Sequence, residues 1–379
     1  MRRAGGPHLV TVPQTVSNTP VWDDGPWLGF PQLTDKVTAD FCVVGLGGSG
    51  LRAASEAVRR GMSVVGLDAA QVASGASGRN GGFLLAGMAP FYHEARERYG
   101  PDRARSFYDE TVVELGELYD EGARQTGSLR IGIDDGELID IEAEFAALRE
   151  DGHDVEWYEG PEGAGILIPV NGVCNPMHRV RDLACATADL GARLFENSPA
   201  VAIEPNRVKS HMGEVEAEHV LVAVDGGLET LLPSLASRVH TASLQMVATA
   251  PDPGLSLTRP VYTNYGYEYY QQLPDGSVAL GGGRNLHPDL SWTTEPVIIP
   301  EIQGVLDELL DRIGVKAPVT NRWSGRASWT DDARPIMEEL SPGVVVIGAY
   351  SGHGNVVGSI YARKAVEQMH SGRPIQGPL

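Results

Sequence analysis

Glycines at a fixed spacing, followed by an acidic residue, form the first chemically informative pattern in the sequence. The apolar run at residues 41–44 leads into the segment GLGGSG, and a second apolar run ends at Asp68. Glycines in this arrangement permit a tight turn, let the backbone approach a pyrophosphate, and let a helix pack closely on a strand. The candidate cofactor-binding glycines are Gly45, Gly47, Gly48 and Gly50. With Asp68 accepting ribose hydroxyls, the pattern predicts a dinucleotide-binding βαβ unit, but it does not distinguish a flavin from a nicotinamide cofactor.

A second glycine-rich stretch, residues 73–83, contains too many small residues to form a simple helix. Such a segment suits close backbone contact with a flat or phosphorylated ligand, although a flexible surface loop has the same composition. Its candidate cofactor-binding residues are Ser77, Arg79, Asn80, Gly81 and Gly82.

A third glycine-rich turn follows the apolar run at residues 343–348 and precedes a segment with helical periodicity. The free N–H groups at the start of such a helix attract negative charge, so the chain presents a second anion-binding helix end. The candidate residues in this turn are Gly352, His353, Gly354 and Asn355. Two interpretations of His353 are open. The residue either orients substrate or flavin, or it is a histidine that only forms structural hydrogen bonds.

Tyrosines concentrate in a β-prone segment, residues 261–283, that contains a Pro-Asp-Gly turn typical of an antiparallel hairpin. Tyr265, Tyr267 and Tyr269 alternate, so we expect them to share one face of a strand. They form either an ordinary packed sheet face or an aromatic wall beside a substrate amine. Tyr350 and Arg284 complete the set of candidate substrate-side residues.

Bulk composition narrows the class of protein. A formal net charge of −20 argues against nucleic acid or an anionic membrane surface as a partner. The three cysteines lack the spacing of a metal site, and we predict neither a metal centre nor disulfides. No continuous apolar segment reads as a signal peptide or a membrane span, so we expect a cytoplasmic protein.

With 379 residues, of which 42% are hydrophobic, the chain is long enough for two domains. We predict a leader at 1–37, held to the surface by aromatic residues between 22 and 30, ahead of a discontinuous nucleotide-binding domain and a substrate domain. The nucleotide-binding domain takes residues 38–90, 172–240 and 320–379, and the substrate domain takes residues 91–171 and 241–319. Within the latter we predict a helical segment at 91–127, strands over 131–141 around an Asp-Asp-Gly hairpin turn, and a short helix at 142–150.

Together these motifs resemble the FAD-dependent oxidoreductases of the D-amino acid oxidase and glycine oxidase superfamily, most closely the γ-glutamylputrescine oxidoreductase-like branch. The resemblance runs from about residue 22 to residue 369, and the segments GASGRNGG and YSGHG are its most specific features. It implies an α/β fold with a Rossmann-like FAD-binding domain of the glutathione reductase type and an α+β substrate domain with a mixed or antiparallel sheet. It also implies that residues 77–82 pass along the flavin, that residues 352–355 approach its pyrimidine edge, and that Val201 lies near the adenine.

Departures from the family pattern refine these expectations. Arg79 stands where some relatives carry a histidine that links to the flavin, and no cysteine lies near residues 330–335, so we predict non-covalent FAD. The carboxylate-binding Gly-Leu-Arg-Pro of glycine oxidase-like relatives is replaced by Gly325-Arg326-Ala327-Ser328, which favours amines over α-amino acids.

We therefore predict oxidation of a C–N bond in a small amine or amino acid, by hydride transfer to flavin N5 and hydrolysis of the imine. O2 is the first choice of electron acceptor, and a dehydrogenase with another acceptor is the alternative. The strand at residues 277–280 lacks the oxygen-activating lysine of some relatives, a role that Arg284 could take. A nicotinamide-dependent dehydrogenase and a non-catalytic FAD-binding protein remain further alternatives.

Overall fold

The computed structural model describes residues 17–379, so the first 16 residues of the predicted leader lie outside it. The strands in chain order are β1 Lys36–Val44, β2 Val64–Leu67, β3 Phe83–Leu84, β4 Arg124–Gln125, β5 Ser128–Ile131, β6 Glu156–Gly160, β7 Gly163–Ile168, β8 Gly172–Val173, β9 Arg193–Phe195, β10 Ala200–Glu204, β11 Arg207–Ser210, β12 Glu214–Val222, β13 His240–Thr249, β14 Val261–Thr263, β15 Glu268–Gln272, β16 Val278–Gly282, β17 Val319–Trp329, β18 Ile336–Ser341 and β19 Val344–Gly348. The helices are α1 Gly48–Arg59, α2 Ala76–Arg79, α3 Tyr92–Tyr99, α4 Pro101–Asp120, α5 Asp135–Glu150, α6 Pro176–Asp189, α7 Leu228–Leu231, α8 Pro288–Ser291, α9 Pro300–Arg312 and α10 Gly354–Ser371.

The first sheet has a parallel centre, in which β1 lies between β2 and β12, while β9 and β19 extend it on the two sides. Its strands come from three separate stretches of the chain, and the apolar runs at β1, β2, β12 and β19 end at the same edge. Ligands of open parallel sheets bind at this carboxyl edge. The predicted nucleotide-binding unit is therefore present, and the α/β fold class is confirmed.

Helices α1 and α10 pack against each other beside this sheet. Leu51 of α1 and Tyr361 of α10 are fully buried in one apolar cluster that also contains Phe41 of β1. This packing brings the N-terminal ends of both helices to the carboxyl edge of the sheet, which is where their free N–H groups can meet an anion.

The second sheet is mixed and mainly antiparallel, in the order β17-β13-β16-β15-β14-β5-β7-β6, and a small sheet joins β3, β8 and β4. Strand β17 pairs along its length with β13. It thus belongs to the second sheet, although the predicted boundary at residue 320 assigned it to the nucleotide-binding domain. The other domain boundaries stay predictions.

The leader packs on the domain surface through its aromatic residues, as the sequence predicted. Trp22 is buried and its indole donates to the carbonyl of Asn80 at 2.9 Å. Trp27 donates to Glu196 at 2.8 Å, so both residues tie the leader to elements that follow β2 and β9.

The predicted hairpin at residues 131–141 is wrong. Asp134 instead caps helix α5, with its carboxylate accepting from the backbone N–H of Glu137 at 2.9 Å. An Asp-Asp-Gly-Glu sequence suits a helix start as well as a turn, and the apolar positions of α5 pack on the cluster around Tyr92 and Tyr108. The short helix predicted at 142–150 is the second half of α5, and the predicted helical segment at 91–127 breaks at Gly100 into α3 and α4.

Candidate functional site

A large open cleft, of about 1170 Å³, runs along the carboxyl edge of the first sheet and continues to the face of the second. It brings together most of the predicted cofactor residues: Gly45, Gly47, Asp68, Ser77, Arg79, Asn80, Gly81, Gly352, His353, Gly354 and Asn355. All the predicted substrate-side residues also line it: Tyr265, Tyr267, Tyr269, Arg284, Tyr350 and His353. Gly48, Gly50, Gly82 and Val201 do not line it. Val201 is half-exposed, while its neighbours Pro199 and Ala200 form part of the wall.

The glycine turn at one end of the cleft admits no larger residues. Gly45 has φ +98°, and a Cβ atom there would lie 2.6 Å from the carbonyl oxygen of Ala223. A Cβ atom on Gly50 would overlap the carbonyl oxygen of Gly45 itself. The turn is therefore held close against β12 and α1, a cradle that leaves room for a pyrophosphate above the helix end.

Asp68 lies at the end of β2, beside this turn. Its carboxylate accepts hydrogen bonds from the backbone N–H groups of Leu46 at 2.8 Å and Ala70 at 2.9 Å. Burial raises the pKa of Asp68 to about 6. Each carboxylate oxygen keeps a further lone pair, so the group can still accept from two ribose hydroxyls.

Two asparagines join the second and third glycine-rich segments. The side-chain oxygen of Asn80 accepts from the backbone N–H of Gly82 at 2.8 Å and from the Asn355 amide at 3.1 Å. Asn355 also donates to the carbonyl of Phe83 at 3.0 Å. Ser77 accepts from the backbone N–H of Gly48 at 3.0 Å, so this network fixes α2 against the starts of α1 and α10.

Arg79 has a structural anchor within the described chain. Its guanidinium donates to the carbonyls of Ser324 and Asn18, both at 2.7 Å, and its own carbonyl accepts from the Trp323 indole at 2.9 Å. These contacts tie the leader, α2 and β17 together. A direct contact of Arg79 with the cofactor stays a prediction.

The turn before α10 is strained and clamped by a buried acid. Ala349 and Ser351 have φ values of 56° and 52°, a region that favours glycine. Asp225 accepts from the backbone N–H groups of Tyr350 and Ser328, both at 3.2 Å, and burial raises its pKa to about 6. The sequence analysis missed Asp225. The available signal was an acidic residue directly after the buried strand β12.

His353 faces the aromatic side of the cleft. Its ring centroid lies 6.5 Å from that of Tyr262, and Nδ1 is 3.4 Å from the carbonyl oxygen of Ser351. Burial lowers the pKa of His353 to about 4, so the imidazole is neutral at physiological pH. It can accept or donate one hydrogen bond towards a ligand, but it does not carry a positive charge there.

Tyr350 lines the cleft but is mostly buried against the start of helix α10. Cβ atoms on Gly354 and Gly358 would lie 3.0 and 3.4 Å from its ring, and the ring of Tyr361 is 6.0 Å away. This position supports the packing of α1 on α10. A substrate contact for Tyr350 stays a prediction.

The three alternating tyrosines do not share one strand face, contrary to the prediction. Residues 264–266 form a 3₁₀ turn in which Asn264 and Tyr265 have positive φ, and β15 begins only at Glu268. Tyr265 is 46% exposed at the cleft mouth, with its ring 6.0 Å from that of Phe91. The carboxylate of Glu137 accepts from the Asn264 and Tyr265 backbone N–H groups and stabilises this turn.

The half-buried ring of Tyr269 lies between the second glycine-rich stretch and the glycines that end strand β16. Cβ atoms on Gly81 and Gly281 would lie 3.0 Å and 2.5 Å from its ring, so both glycines leave the space that the ring fills. Burial holds the pKa of the Tyr269 hydroxyl well above its usual range. The ring of Phe83 packs edge-on at 6.0 Å, and Phe83 and Tyr262 are wall residues that the sequence analysis did not select.

Arg284 lies at the far end of the cleft among aromatic rings. Its guanidinium carbon is 4.9 Å from the ring centre of Tyr267, 5.3 Å from that of Trp292 and 4.4 Å from that of Trp329. The sequence analysis did not select the two tryptophans; Trp292 follows Arg284 by only eight residues, whereas Trp329 lies far from both in the chain.

A family model described as FAD dependent oxidoreductase (DAO) matches residues 40–368 of the chain. The protein belongs to this family. FAD is therefore its cofactor, and the glycine cradle, the buried Asp68 and the paired helix ends all fit that group. Non-covalent attachment stays a prediction. The nicotinamide-dependent alternative is set aside, because the match spans both glycine-rich helix ends and the sheet between them.

Two curated relatives are similar to this FAD-dependent oxidoreductase over most of their length. The probable oxidoreductase OrdL of Rhizobium meliloti (strain 1021) is 27% identical over 372 residues, covering 89% of this chain and 85% of the relative. The γ-glutamylputrescine oxidoreductase of Escherichia coli (strain K12) is 27% identical over 355 residues, covering 86% and 82%.

Solved structures of low sequence identity show the same fold. Glycine oxidase from Geobacillus kaustophilus superposes with a TM-score of 0.72 at 18% identity, over 89% of this chain and 95% of the other. L-proline dehydrogenase from P. horikoshii superposes with a TM-score of 0.70 at 17% identity, over 91% and 95%. An oxidase and a dehydrogenase thus share this fold, which does not decide between the two activities.

Within residues 17–379, no helix is long and apolar enough to cross a bilayer. The same part of the chain contains no group of three or more His, Cys, Asp or Glu side chains arranged to hold a metal ion.

Proposed function

We propose that this FAD-dependent oxidoreductase oxidises a C–N bond in a small amine or amino acid and passes the electrons to O2. The observation that carries the proposal is the continuity of the cleft, which runs from Gly45 and Asp68 to an aromatic end formed by Tyr267, Tyr269 and Trp329. A dinucleotide held at the first end would extend towards the second, where a small organic substrate fits.

The chemistry of the aromatic end favours removal of a hydride from a neutral amine. The bound flavin supplies the two-electron acceptor. Loss of a hydride from carbon and a proton from nitrogen gives an imine, and water hydrolyses the imine to a carbonyl compound and a released amine. His353 is neutral, and burial keeps the hydroxyls of Tyr262 and Tyr269 protonated, since it raises the pKa of each. These groups can orient the amine by hydrogen bonds and apolar contact, but none is a strong base.

Helix α10 supports this reaction electrostatically. Its N-terminal residues Gly354 and Asn355 line the cleft, and the positive end of an α-helix stabilises negative charge nearby. In the proposed arrangement this end lies beside the flavin edge that gains electron density. The clamp of Asp225 on the preceding turn would keep that helix end in place.

The choice between O2 and another electron acceptor depends on the cations near the aromatic end of the cleft. Strand β16 contains no lysine, and the guanidinium carbon of Arg284, two residues after that strand, lies 4.9 Å from the ring centre of Tyr267. A dehydrogenase that passes electrons to another acceptor is the second candidate, favoured by this missing lysine. A protein that binds FAD without turnover is the third.

Aerobic turnover with a panel of amines, N-methyl amino acids and D-amino acids tests the proposal. We expect one compound to yield a carbonyl product and hydrogen peroxide in equal amounts. Carbonyl formation only with an added dye or quinone would instead support the dehydrogenase, and no product under either condition would refute the amine assignment.

A further inference from the structure

Asn18, in the leader, uses every polar position of its side chain. The side-chain oxygen accepts from the guanidinium of Arg79 at 2.5 Å and from the backbone N–H of Ser324 at 2.9 Å. The side-chain N–H groups donate to the carbonyl of Pro296 at 2.8 Å and to the hydroxyl of Ser324 at 3.3 Å. An asparagine amide has two donors and two acceptor positions, so all four have protein partners here.

The three partners of Asn18 belong to three different elements of the cleft wall. Arg79 ends helix α2, Ser324 lies on β17, and Pro296 lies between α8 and α9. All three line the cleft, whereas Asn18 itself does not. The leader thus acts on the cleft through its wall, on the predicted cofactor side and on the substrate side at once.

The backbone around Asn18 covers the outer edge of β17, the edge strand of the second sheet. Asn18 forms a parallel bridge with Arg322, and the carbonyl of Thr19 accepts from the Asn321 side chain at 3.3 Å. The carbonyl of Asn18 also accepts from Arg79 at 2.7 Å. These contacts give partners to the polar groups of an exposed strand edge, and they fix the position of the Asn18 side chain.

Residues 292–299, which we call the wall segment, contain no helix or strand. Side chains from the leader, β13 and β17 hold it by its backbone carbonyls: Asn18 donates to Pro296 at 2.8 Å, Gln245 to Val297 at 2.9 Å and Arg326 to Thr294 at 2.8 Å. A segment without a hydrogen-bonded ladder depends on such contacts for its order. Because Asn18 also accepts from Arg79, it connects the wall segment with α2.

We propose that Asn18 is a positioning residue of the cleft, which fixes the wall segment relative to α2 and β17. An asparagine is needed because one side chain must donate to Pro296 and accept from Arg79, and aspartate lacks the donor. The wall segment includes Trp292, whose ring centre lies 5.3 Å from the guanidinium carbon of Arg284. Displacement of the segment therefore alters the aromatic end of the cleft. The effect on substrate binding rests on the proposed amine oxidation, whereas the effect on the order of the segment does not.

Hydrogen exchange of the holoenzyme tests this role without a substrate. The backbone N–H of Val297 donates to the carbonyl of Glu295 at 2.9 Å, and that of Ile299 donates to the Gln245 side chain at 3.0 Å. Both amides therefore report on the order of the wall segment.

Asn18→Asp separates the two halves of the contact. It keeps an acceptor for Arg79 and loses the donor for Pro296, so it should speed exchange at the two wall-segment amides by about 5- to 30-fold and leave exchange in α2 unchanged. Asn18→Ala loses both halves and should speed exchange in the wall segment and in α2. Gln32→Ala is the matched control, since it removes another leader amide that donates to a backbone carbonyl, that of Asn197 at 2.7 Å. It should leave exchange in the wall segment unchanged.

Unchanged exchange of the wall segment in both Asn18 variants would overturn the proposal. Equal acceleration in Gln32→Ala would also overturn it, because the effect would then come from loosening of the leader as a whole. Asn18→Asp differs from the native side chain in one group only, so it decides the question even if Asn18→Ala fails to hold FAD.

Flavin reduction by amines separates this inference from the proposed function. Asn18→Asp should raise the amine concentration for half-maximal reduction severalfold and change the limiting rate little, because the predicted cofactor side stays in place. If exchange depends on Asn18 but no amine reduces the flavin, the positioning role stands and amine oxidation fails. If an amine reduces the flavin of both Asn18 variants with the wild-type concentration dependence, amine oxidation stands and the role of Asn18 at the substrate end is refuted.

Discussion

Replacing Gly45 by alanine combines two costs in one substitution. The residue has φ +98°, where an L-amino acid costs roughly 1–2 kcal/mol more than glycine. The new Cβ atom would also lie 2.6 Å from the carbonyl oxygen of Ala223, so the turn must move away from β12. Overpacking of this kind costs roughly 1–3 kcal/mol. We therefore expect Gly45→Ala to destabilise the protein by about 2–5 kcal/mol, and to weaken FAD binding because the displaced turn is the predicted cofactor cradle.

Substitutions at two other glycines allow the conformational cost and the packing cost to be measured separately. Gly61 has φ +86° but open space around it, so Gly61→Ala should cost only the conformational term of roughly 1–2 kcal/mol. Gly116 lies exposed within helix α4, again with open space, so Gly116→Ala should stabilise the protein by roughly 0.5–1 kcal/mol. Neither control touches the cleft.

The assay is urea unfolding of each variant together with a fluorescence titration of FAD into the apoprotein. We expect the order of stability to be Gly116→Ala, wild type, Gly61→Ala and Gly45→Ala, with at least a tenfold loss of FAD affinity, about 1.4 kcal/mol, in the last variant alone. A Gly45→Ala protein that binds FAD as tightly as the wild type would refute the assignment of this turn to the cofactor.

Three further predictions concern the cofactor, the aromatic end and pH. Acid precipitation should release the flavin into the supernatant, and flavin that stays with the pellet would contradict non-covalent binding. Gly281→Ala should destabilise the protein by roughly 1–3 kcal/mol, because its Cβ atom would lie 2.5 Å from the ring of Tyr269; unchanged urea unfolding would contradict this packing. Burial lowers the pKa of His353 to about 4, so the unfolded chain binds the proton more readily, and this residue should lower the stability of the protein as the pH falls from 6.5 to 4. His353→Asn should reduce that acid-side slope, whereas parallel stability curves for the two proteins would show that the imidazole is not buried in its neutral form.

The predicted nucleotide-binding half of the site could be recognised from the sequence because its residues lie close together in the chain. Gly45, Gly50 and Asp68 lie within one βαβ unit, where strand, turn and helix follow each other directly. The same holds for the final strand and helix, where the turn at residues 349–353 lies between two strongly apolar elements. In such units the turn residues and the apolar periodicity agree, so tertiary packing does not override the local pattern.

The substrate end could be predicted only in part, because several residues that contact each other there lie far apart in the chain. Arg284 meets Trp329 only after β13, β16 and β17 have paired, and Asp225 meets Tyr350 only through the sheet edge. The predicted strand position of Tyr265 was wrong for a different reason. The strand-like alternation continued through Asn264 and Tyr265, but the buried carboxylate of Glu137, from a helix predicted as a hairpin, stabilises a turn there.

Anaerobic mixing of the purified holoenzyme with the amine panel, followed by absorption of the flavin band, tests the central claim most directly. We predict that at least one compound of the panel bleaches the band and that the colour returns rapidly when air is admitted. Slow return in air would leave amine oxidation in place and replace O2 by another acceptor. A fully loaded flavin that no compound bleaches would contradict the claim, and the protein would then share only the fold and the cofactor of its family.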